Sequence, residues 1–251
     1  MAKSALIIGG GTGIGFATAE RLVRRGLAVA IAGRREHVLE EARSRLETIG
    51  AGVALHTVAA DAGQEAEAQR IVRLAEERLG GLDLCVNCAG IYEPVHFLEL
   101  DDASWSRTLS ATLDAVAYPS VAAAAGMARR GGGRFVLISS ISAPLSEPES
   151  AHYSAAKAAV SSLARSMAID LARHEIRVNA VAPGWIHTEM VDDFVQQATS
   201  ETLAQINMLG RVGQPDEVAN VIEYLGLDAP DFVTGTTVFV DGGQTAMATL
   251  I

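Results

Sequence analysis

In the stretch HYSAAKAAV, residues 152–160, a tyrosine stands four positions before a lysine among small residues. On a helix, positions i and i+4 share a face with Cβ atoms roughly 5–6 Å apart, so Tyr153 and Lys157 project side by side. An ammonium that close favours the phenolate and draws a tyrosine pKa down from about 10 toward neutrality. A phenol tuned in this way donates or accepts a proton in catalysis. The plain alternative is two stems packing on a helix surface, and only the rest of the chain separates the two. The two cysteines, Cys85 and Cys88, form CVNC and invite a redox or metal reading. Their setting, LDLCVNCAG, has strand character, and residues three apart on a strand face opposite ways. The thiols then diverge, no second Cys/His pair is spaced to complete a zinc site, and neither a disulfide nor a metal is expected.

The elements that must position these residues follow from the apolar runs. SALIIG, AVAIAG, VALHTV, LDLCVN, RFVLIS, IRVNAV and TTVFVD read as strands, separated mostly by stretches with helical character. EAEAQRIVRLAEERL, for instance, sets Ala68, Ile71, Leu74, Ala75 and Leu79 on one face and its charges on the other. Short continuous apolar strands alternating with helices predict a doubly wound α/β fold, a predominantly parallel seven-stranded sheet covered on both faces. No linker, charge block or repeat divides the 251 residues, so a single domain over 1–251 is expected.

A net charge of −10 without a basic stripe argues against nucleic acid as a partner. The longest small-apolar stretch, ATLDAVAYPSVAAAAGMA, is interrupted by Asp114 and Pro119 and is not a membrane span. A strand-like run begins by residue 5 with no leader composition ahead of it, and a cytoplasmic location is the expectation.

LIIGGGTGIGFATAERLVRRG reads as strand, glycine-rich turn and helix. Gly9, Gly13 and Gly15 let the backbone turn tightly and approach a pyrophosphate, whose charge meets the free amides of the helix N-terminus. A tight turn with positive φ is the alternative. At the end of the second strand, where NAD-binding folds carry a carboxylate for the ribose 2′-hydroxyl, VAIAGRRE has Gly33, Arg34 and Arg35. Arginine suits a 2′-phosphate by charge and donor geometry, so NADP(H) is favoured, with NAD possible. Two solvated arginines opening the next helix are the alternative.

With these residues in order, the chain resembles the short-chain dehydrogenase/reductase family along essentially its whole length. The family's T-G-x-x-x-G-x-G turn is similar to Ile8–Gly15, its N-N-A-G to NCAG at Asn87–Gly90, and its Y-x-x-x-K to Tyr153 and Lys157. Its catalytic serine, thirteen positions before the tyrosine, corresponds to Ser140, and its P-G-x-x-x-T to PGWIHT with Pro183, Gly184 and Thr188. The closing FVTGTTVFVDGG is similar to the family's last strand.

The resemblance implies a Rossmann-like oxidoreductase that interconverts a ketone and a secondary alcohol. Tyr153 would move a proton to or from the substrate oxygen while hydride moves at the nicotinamide, and Ser140 would orient that oxygen. Lys157 would lower the tyrosine's pKa and hold the nicotinamide ribose. Thr188 would bind the carboxamide, Asp61 the adenine and Asn87 the adenine ribose region. The same resemblance extends cofactor contacts to Gly11, Thr12, Ile14, Ala62, Ala89, Gly90 and Ile186. Taken singly, Ser140 could end a strand, Thr188 cap a helix and Asp61 form a turn.

Three positions depart from the family. Counting seven from Trp105, where the family commonly has an asparagine that completes a proton relay to the lysine, gives Thr112. A hydroxyl cannot reproduce the amide's paired donor and acceptor, so the route to bulk solvent is expected to differ. Ile8 and Cys88 replace a threonine and an asparagine that lie together beneath the cofactor in the family, an apolar contact for a polar one.

Residues 189–212 fall where the family carries a substrate lid, here mixing Met190, Val191, Phe194, Leu203 and Met208 with acids. Glu147 and Glu149 are expected near the same cleft, where carboxylates weigh against a strongly anionic substrate. His96, His152 and His187 read as surface or packing residues. A 3-oxoacyl-thioester reductase and an NAD-dependent diol or sugar-alcohol dehydrogenase are the enzymatic alternatives, and a dinucleotide-sensing regulator the other. The resemblance also implies a homotetramer or homodimer packing on the small-residue helix at about 151–172 and along the last strand.

Overall fold

A computed structural model describes residues 3–247. In chain order the strands are β1 (Ser4–Ile8), β2 (Ala28–Gly33), β3 (Leu55–Ala59), β4 (Leu84–Asn87), β5 (Gly133–Ile138), β6 (Ile176–Pro183) and β7 (Thr237–Val240). The helices are α1 (Gly13–Arg24), α2 (Glu36–Ile49), α3 (Glu65–Leu79), α4 (Asp102–Leu109), α5 (Ala115–Arg130), α6 (Ala151–Leu171), α7 (Asp192–Gln197), α8 (Ser200–Ile206) and α9 (Pro215–Glu223). All seven strands join one sheet in the order β3-β2-β1-β4-β5-β6-β7, every pair parallel.

Strand alternation divides the core between the two faces of this sheet. In β1, Leu6 and Ile8 pack into one cluster with residues of α3, α5 and α6, while Ala5 and Ile7 join α1, α2 and α9 in the other. Cys85 belongs to the first cluster and Cys88 packs against the second, so the two thiols diverge as strand geometry requires. On α3 the buried set is Ala68, Ile71, Val72 and Ala75, with Leu74 and Leu79 partly buried. β3 begins at Leu55, two residues later than its apolar run, with Val53 in the preceding turn where its amide bonds to Gly50.

The winding direction reverses between β1 and β4, which opens a crevice beyond the carboxyl ends of the central strands, where ligands of such folds bind. The helical region between β4 and β5 is not uniform. Residues Ser110–Asp114 form a π-helical turn joining α4 to α5, a feature that often accompanies functional sites. After β6 the chain leaves the sheet and returns at Gly213, whose amide donates to Trp185 O (2.8 Å) and whose carbonyl accepts from His187 N (2.9 Å). Residues 188–212 are thus an excursion clamped at its base, containing α7 and α8. The side chain of Phe194 lies outside the described residues. Among the described residues no helix is long and apolar enough to cross a membrane.

Candidate functional site

A cleft of about 570 Å³ runs along the carboxyl ends of the strands, from the glycine-rich turn to the start of the excursion. At its floor the chain leaves β1 through Gly9 (φ +75°) and Gly13 (φ +52°), a region of backbone space that glycine enters without penalty. A Cβ on Gly15 would lie 2.1 Å from the Gly9 carbonyl oxygen, so only glycine lets α1 start this close to β1. Thr12, at the N-cap of α1, makes no side-chain cap bond. The first-turn residues Gly13, Ile14 and Gly15 line the cleft without a Thr12 cap and with the positive end of the helix dipole behind them, and this cradle fits a dinucleotide pyrophosphate.

At the β2 end Gly33, Arg34 and Arg35 line the cleft. Arg34 is exposed and has no ion-pair partner among the described residues, while Arg35 Nη2 reaches Glu189 Oε2 at 3.3 Å across the cleft mouth. Asp61 makes the turn that was its alternative reading, its Oδ1 accepting from Gly63 N (3.0 Å), and still lines the cleft beside Ala62. Thr188 makes no cap bond to the turn that follows it. It stands across the cleft from the glycine loop, its Cγ2 3.1 Å from where a Gly13 Cβ would be.

At the other end α6 delivers its pair. Tyr153 and Lys157 share one face, the Lys157 Nζ 5.7 Å from the centroid of the Tyr153 ring, and both are buried. Successive serines at the end of β5 divide the work by strand pleat. Ser139 Oγ donates to Lys157 O (2.9 Å), fixing α6 to the sheet, and Ser140 faces the cleft, its Oγ accepting from Ser142 N and donating to Ser142 Oγ, each at 3.1 Å. The Lys157 ammonium donates to Ile138 O (2.8 Å).

Two expectations need correcting here. The lysine is not among the influences on the tyrosine's acidity: burial pushes the Tyr153 phenol up to about 12, a hydrogen bond with Ser140 opposes that shift, and Glu147 and Tyr92 add to it. Burial also draws Lys157 down to about 8, so the ammonium is itself costly to maintain. Asn87 is the other. Its side chain does not line the cleft; it is fully buried, and its Nδ2 donates to Ser120 Oγ (2.9 Å), tying β4 to α5.

The remaining expected residues, Gly9, Gly11, Ile14, Ala89, Gly90, Pro183, Gly184 and Ile186, line the cleft, as do Ile8 and Cys88. Burial raises the Cys88 thiol to about 12, so it remains a neutral, mostly apolar neighbour. Thr112 sits on the π-helical turn and bonds the backbone of Ile91, its Oγ1 accepting from the amide at 3.3 Å. Only the width of Gly90 separates it from Lys157, since a Cβ there would meet Lys157 Nζ at 3.3 Å and Thr112 Oγ1 at 3.7 Å. His96 caps a short turn through Nδ1, His187 lies beside Asp192, and His152 is buried with neither ring nitrogen bonded among the described residues.

Tyr92, Ser142 and Trp185 also line the cleft and were not singled out from sequence. Tyr92 meets the Tyr153 ring edge-on, centroids 5.1 Å apart at 76°. Its signal was position alone: it follows the end of a central strand by five residues, at the sheet edge where ligands bind.

A family model described as enoyl-(acyl carrier protein) reductase matches residues 9–245. The cis-4-hydroxycyclohexanecarboxylate dehydrogenase of Sinomonas cyclohexanicum is 39% identical over 98% of this chain and 97% of its own. The NADP-dependent (R)-specific alcohol dehydrogenase of Lentilactobacillus kefiri is 34% identical over 97% of each. A solved short-chain type dehydrogenase/reductase from Mycobacterium ulcerans superposes with a TM-score of 0.93 at 36% identity, covering 97% of this chain and 90% of that one. With the cleft geometry, these matches make the chain a member of the short-chain dehydrogenase/reductase family, an NAD(P)-dependent oxidoreductase acting on CH–OH and C=O groups.

Proposed function

We propose that the chain interconverts a ketone and a secondary alcohol with NADP(H) as its preferred cofactor, using Tyr153 as proton donor and acceptor. The observation that carries this reading is the convergence of Tyr153, Ser140 and Lys157 on the cleft that begins at the glycine turn. A nicotinamide held in this cleft would supply or receive the hydride and, when oxidised, would carry a positive charge. Ser140 orients the substrate oxygen beside the Tyr153 hydroxyl. The phenol, held neutral by burial, is the form that protonates an alkoxide as a carbonyl is reduced. Lys157, anchored on Ile138 O and lining the cleft, has further protons to donate and fits a ribose hydroxyl pair. Thr188, opposite the glycine loop, is placed for a carboxamide, and the excursion at 189–212 acts as the substrate lid, with Glu189, Met190 and Val191 lining the cleft.

The preference for the 2′-phosphorylated cofactor rests on Arg34, unpaired at the adenosine end where a carboxylate would repel that phosphate. A panel of ketones and secondary alcohols with both cofactors, followed by nicotinamide absorbance, tests the reaction. In fluorescence titrations NADPH is expected to bind more tightly than NADH, by about tenfold, the scale of one charge-assisted contact. Arg34→Ala is expected to erase most of that difference, and equal affinities in the parent protein would remove the preference.

Assembly into a dimer or tetramer is supported by large apolar side chains left exposed on α5, α6 and β7, namely Val121, Ile169 and Phe239. Light scattering is expected to return a mass of two or four chains, and a monomer at micromolar concentration would refute it.

A further inference from the structure

Glu147 lines the substrate end of the cleft beside Tyr92 and Tyr153. It is half-buried, and among the described residues no cation or hydrogen-bond donor meets its carboxylate. Of the charged side chains around it, Glu149 acts on Tyr92 together with Glu147 but lies outside the cleft lining, and the others at this end are engaged. Glu93 pairs with Arg107 at 2.6 Å, Glu189 with Arg35 at 3.3 Å, and the Lys157 ammonium is bonded to Ile138 O.

The backbone that carries Glu147 is held firmly. Ser150 Oγ donates to Glu147 O (2.7 Å) and accepts from Glu147 N (3.2 Å). Pro148 restricts the residue before it, and Glu149 then adopts φ +59°, a left-handed conformation uncommon for a side chain of its kind. Glu149 O accepts from Val95 N at 2.8 Å, which fastens this corner to the segment after Tyr92. A locally strained, doubly bonded corner that presents one unpaired carboxylate beside the reacting phenol is a site built to receive a donor.

We propose that Glu147 determines specificity in this cleft: its carboxylate receives a hydrogen-bond donor on the substrate, a hydroxyl or a protonated amine elsewhere on the carbon skeleton that bears the reacting carbonyl, and rejects substrates carrying a carboxylate there. This rests on the carbonyl–alcohol reading above. Burial lifts the Glu147 carboxyl above its ordinary value, so its charge is poorly solvated in the free chain and a bound donor relieves that cost. A substrate carboxylate would instead bring a second negative charge into a poorly hydrated space.

The test uses cyclohexanone and its 4-hydroxy, 4-amino and 4-carboxylate derivatives, with each kcat/KM normalised to cyclohexanone. The parent protein is expected to prefer the hydroxy and amino ketones over the carboxylate by at least about tenfold. Glu147→Gln, which keeps the shape and removes the charge, is expected to lower the amino ratio and raise the carboxylate ratio, each by about tenfold. Glu147→Asp is expected to preserve the direction of the preference. Ratios unmoved by Glu147→Gln, or a parent preference for the carboxylate, overturn the assignment.

Calorimetric titration of the cofactor-loaded protein with cyclohexylamine and with cyclohexanecarboxylate separates this from the reaction itself. A preference for the amine that vanishes in Glu147→Gln, with no ketone turned over, upholds Glu147 and defeats the carbonyl reading. Turnover without any charge preference does the reverse, and neither turnover nor preference defeats both.

Discussion

Tyr153→Phe is expected to lower kcat for ketone reduction by about 10³-fold, within the range attributed to a positioned general acid. The substitution removes one oxygen and keeps the ring, so the edge-on contact with Tyr92 at 5.1 Å survives and the fold should not change. Ser140 loses the phenol as a partner but retains both bonds to Ser142. The glycine turn and the Lys157 ammonium are untouched, so cofactor affinity is expected to stay within about threefold. Steady-state kinetics with nicotinamide fluorescence titration reads both quantities. A variant that keeps a tenth or more of the parent kcat would move the acid role to another group.

The direction of reaction adds a check on the same residue. Burial keeps the phenol protonated up to about 12 in the free chain, so reduction has its proton donor throughout the working range. Oxidation requires the phenolate and is expected to accelerate from pH 7 to 10, helped by the charge of the oxidised cofactor. A parallel pH response in both directions would mean that Tyr153 is not the group exchanging the proton.

Much of this was legible in the residues, for identifiable reasons. A parallel sheet buried on both faces needs continuous apolar strands, and each of the seven runs from SALIIG to TTVFVD became one. The Tyr153–Lys157 pairing follows from helix geometry alone, and Gly9, Gly13 and Gly15 are fixed by backbone requirements that no other residue meets. What depended on tertiary surroundings was not legible. The direction of the Tyr153 shift turns on how completely the helix N-terminus is buried against β5 and Tyr92, and a spacing rule carries no measure of burial. Asn87 has the right residue type at the right position, yet its side chain bonds Ser120, thirty-three residues away. The π-helical turn under Thr112 and the Trp185–Gly213 clamp are likewise set by distant contacts.

Lys157→Met is expected to abolish turnover and at the same time make the cofactor-free protein more stable. The ammonium is almost completely buried, and the one hydrogen bond it makes among the described residues, to Ile138 O, does not replace the water it has lost. Burial lowers its pKa from 10.5 to about 8. Below pH 8 the amine is charged in both folded and unfolded chains, and the folded state carries the whole desolvation cost. Between pH 8 and 10.5 the unfolded chain keeps the proton while the folded chain has released it, so stability rises with pH, by about 3 kcal/mol at most. Above pH 10 Tyr153 acts in the opposite sense, because the unfolded phenol ionises first. Methionine removes the charge and nearly keeps the volume but leaves Ile138 O unpaired, which returns part of the gain. The net expectation is about 1–2 kcal/mol of added stability at pH 7, shrinking toward zero by pH 10. Denaturant unfolding of parent and variant at pH 7, 8.5 and 10 measures it. A variant less stable than the parent at pH 7, or a difference that does not change with pH, would show that the ammonium is well accommodated and that its position owes nothing to a sacrifice of stability for function.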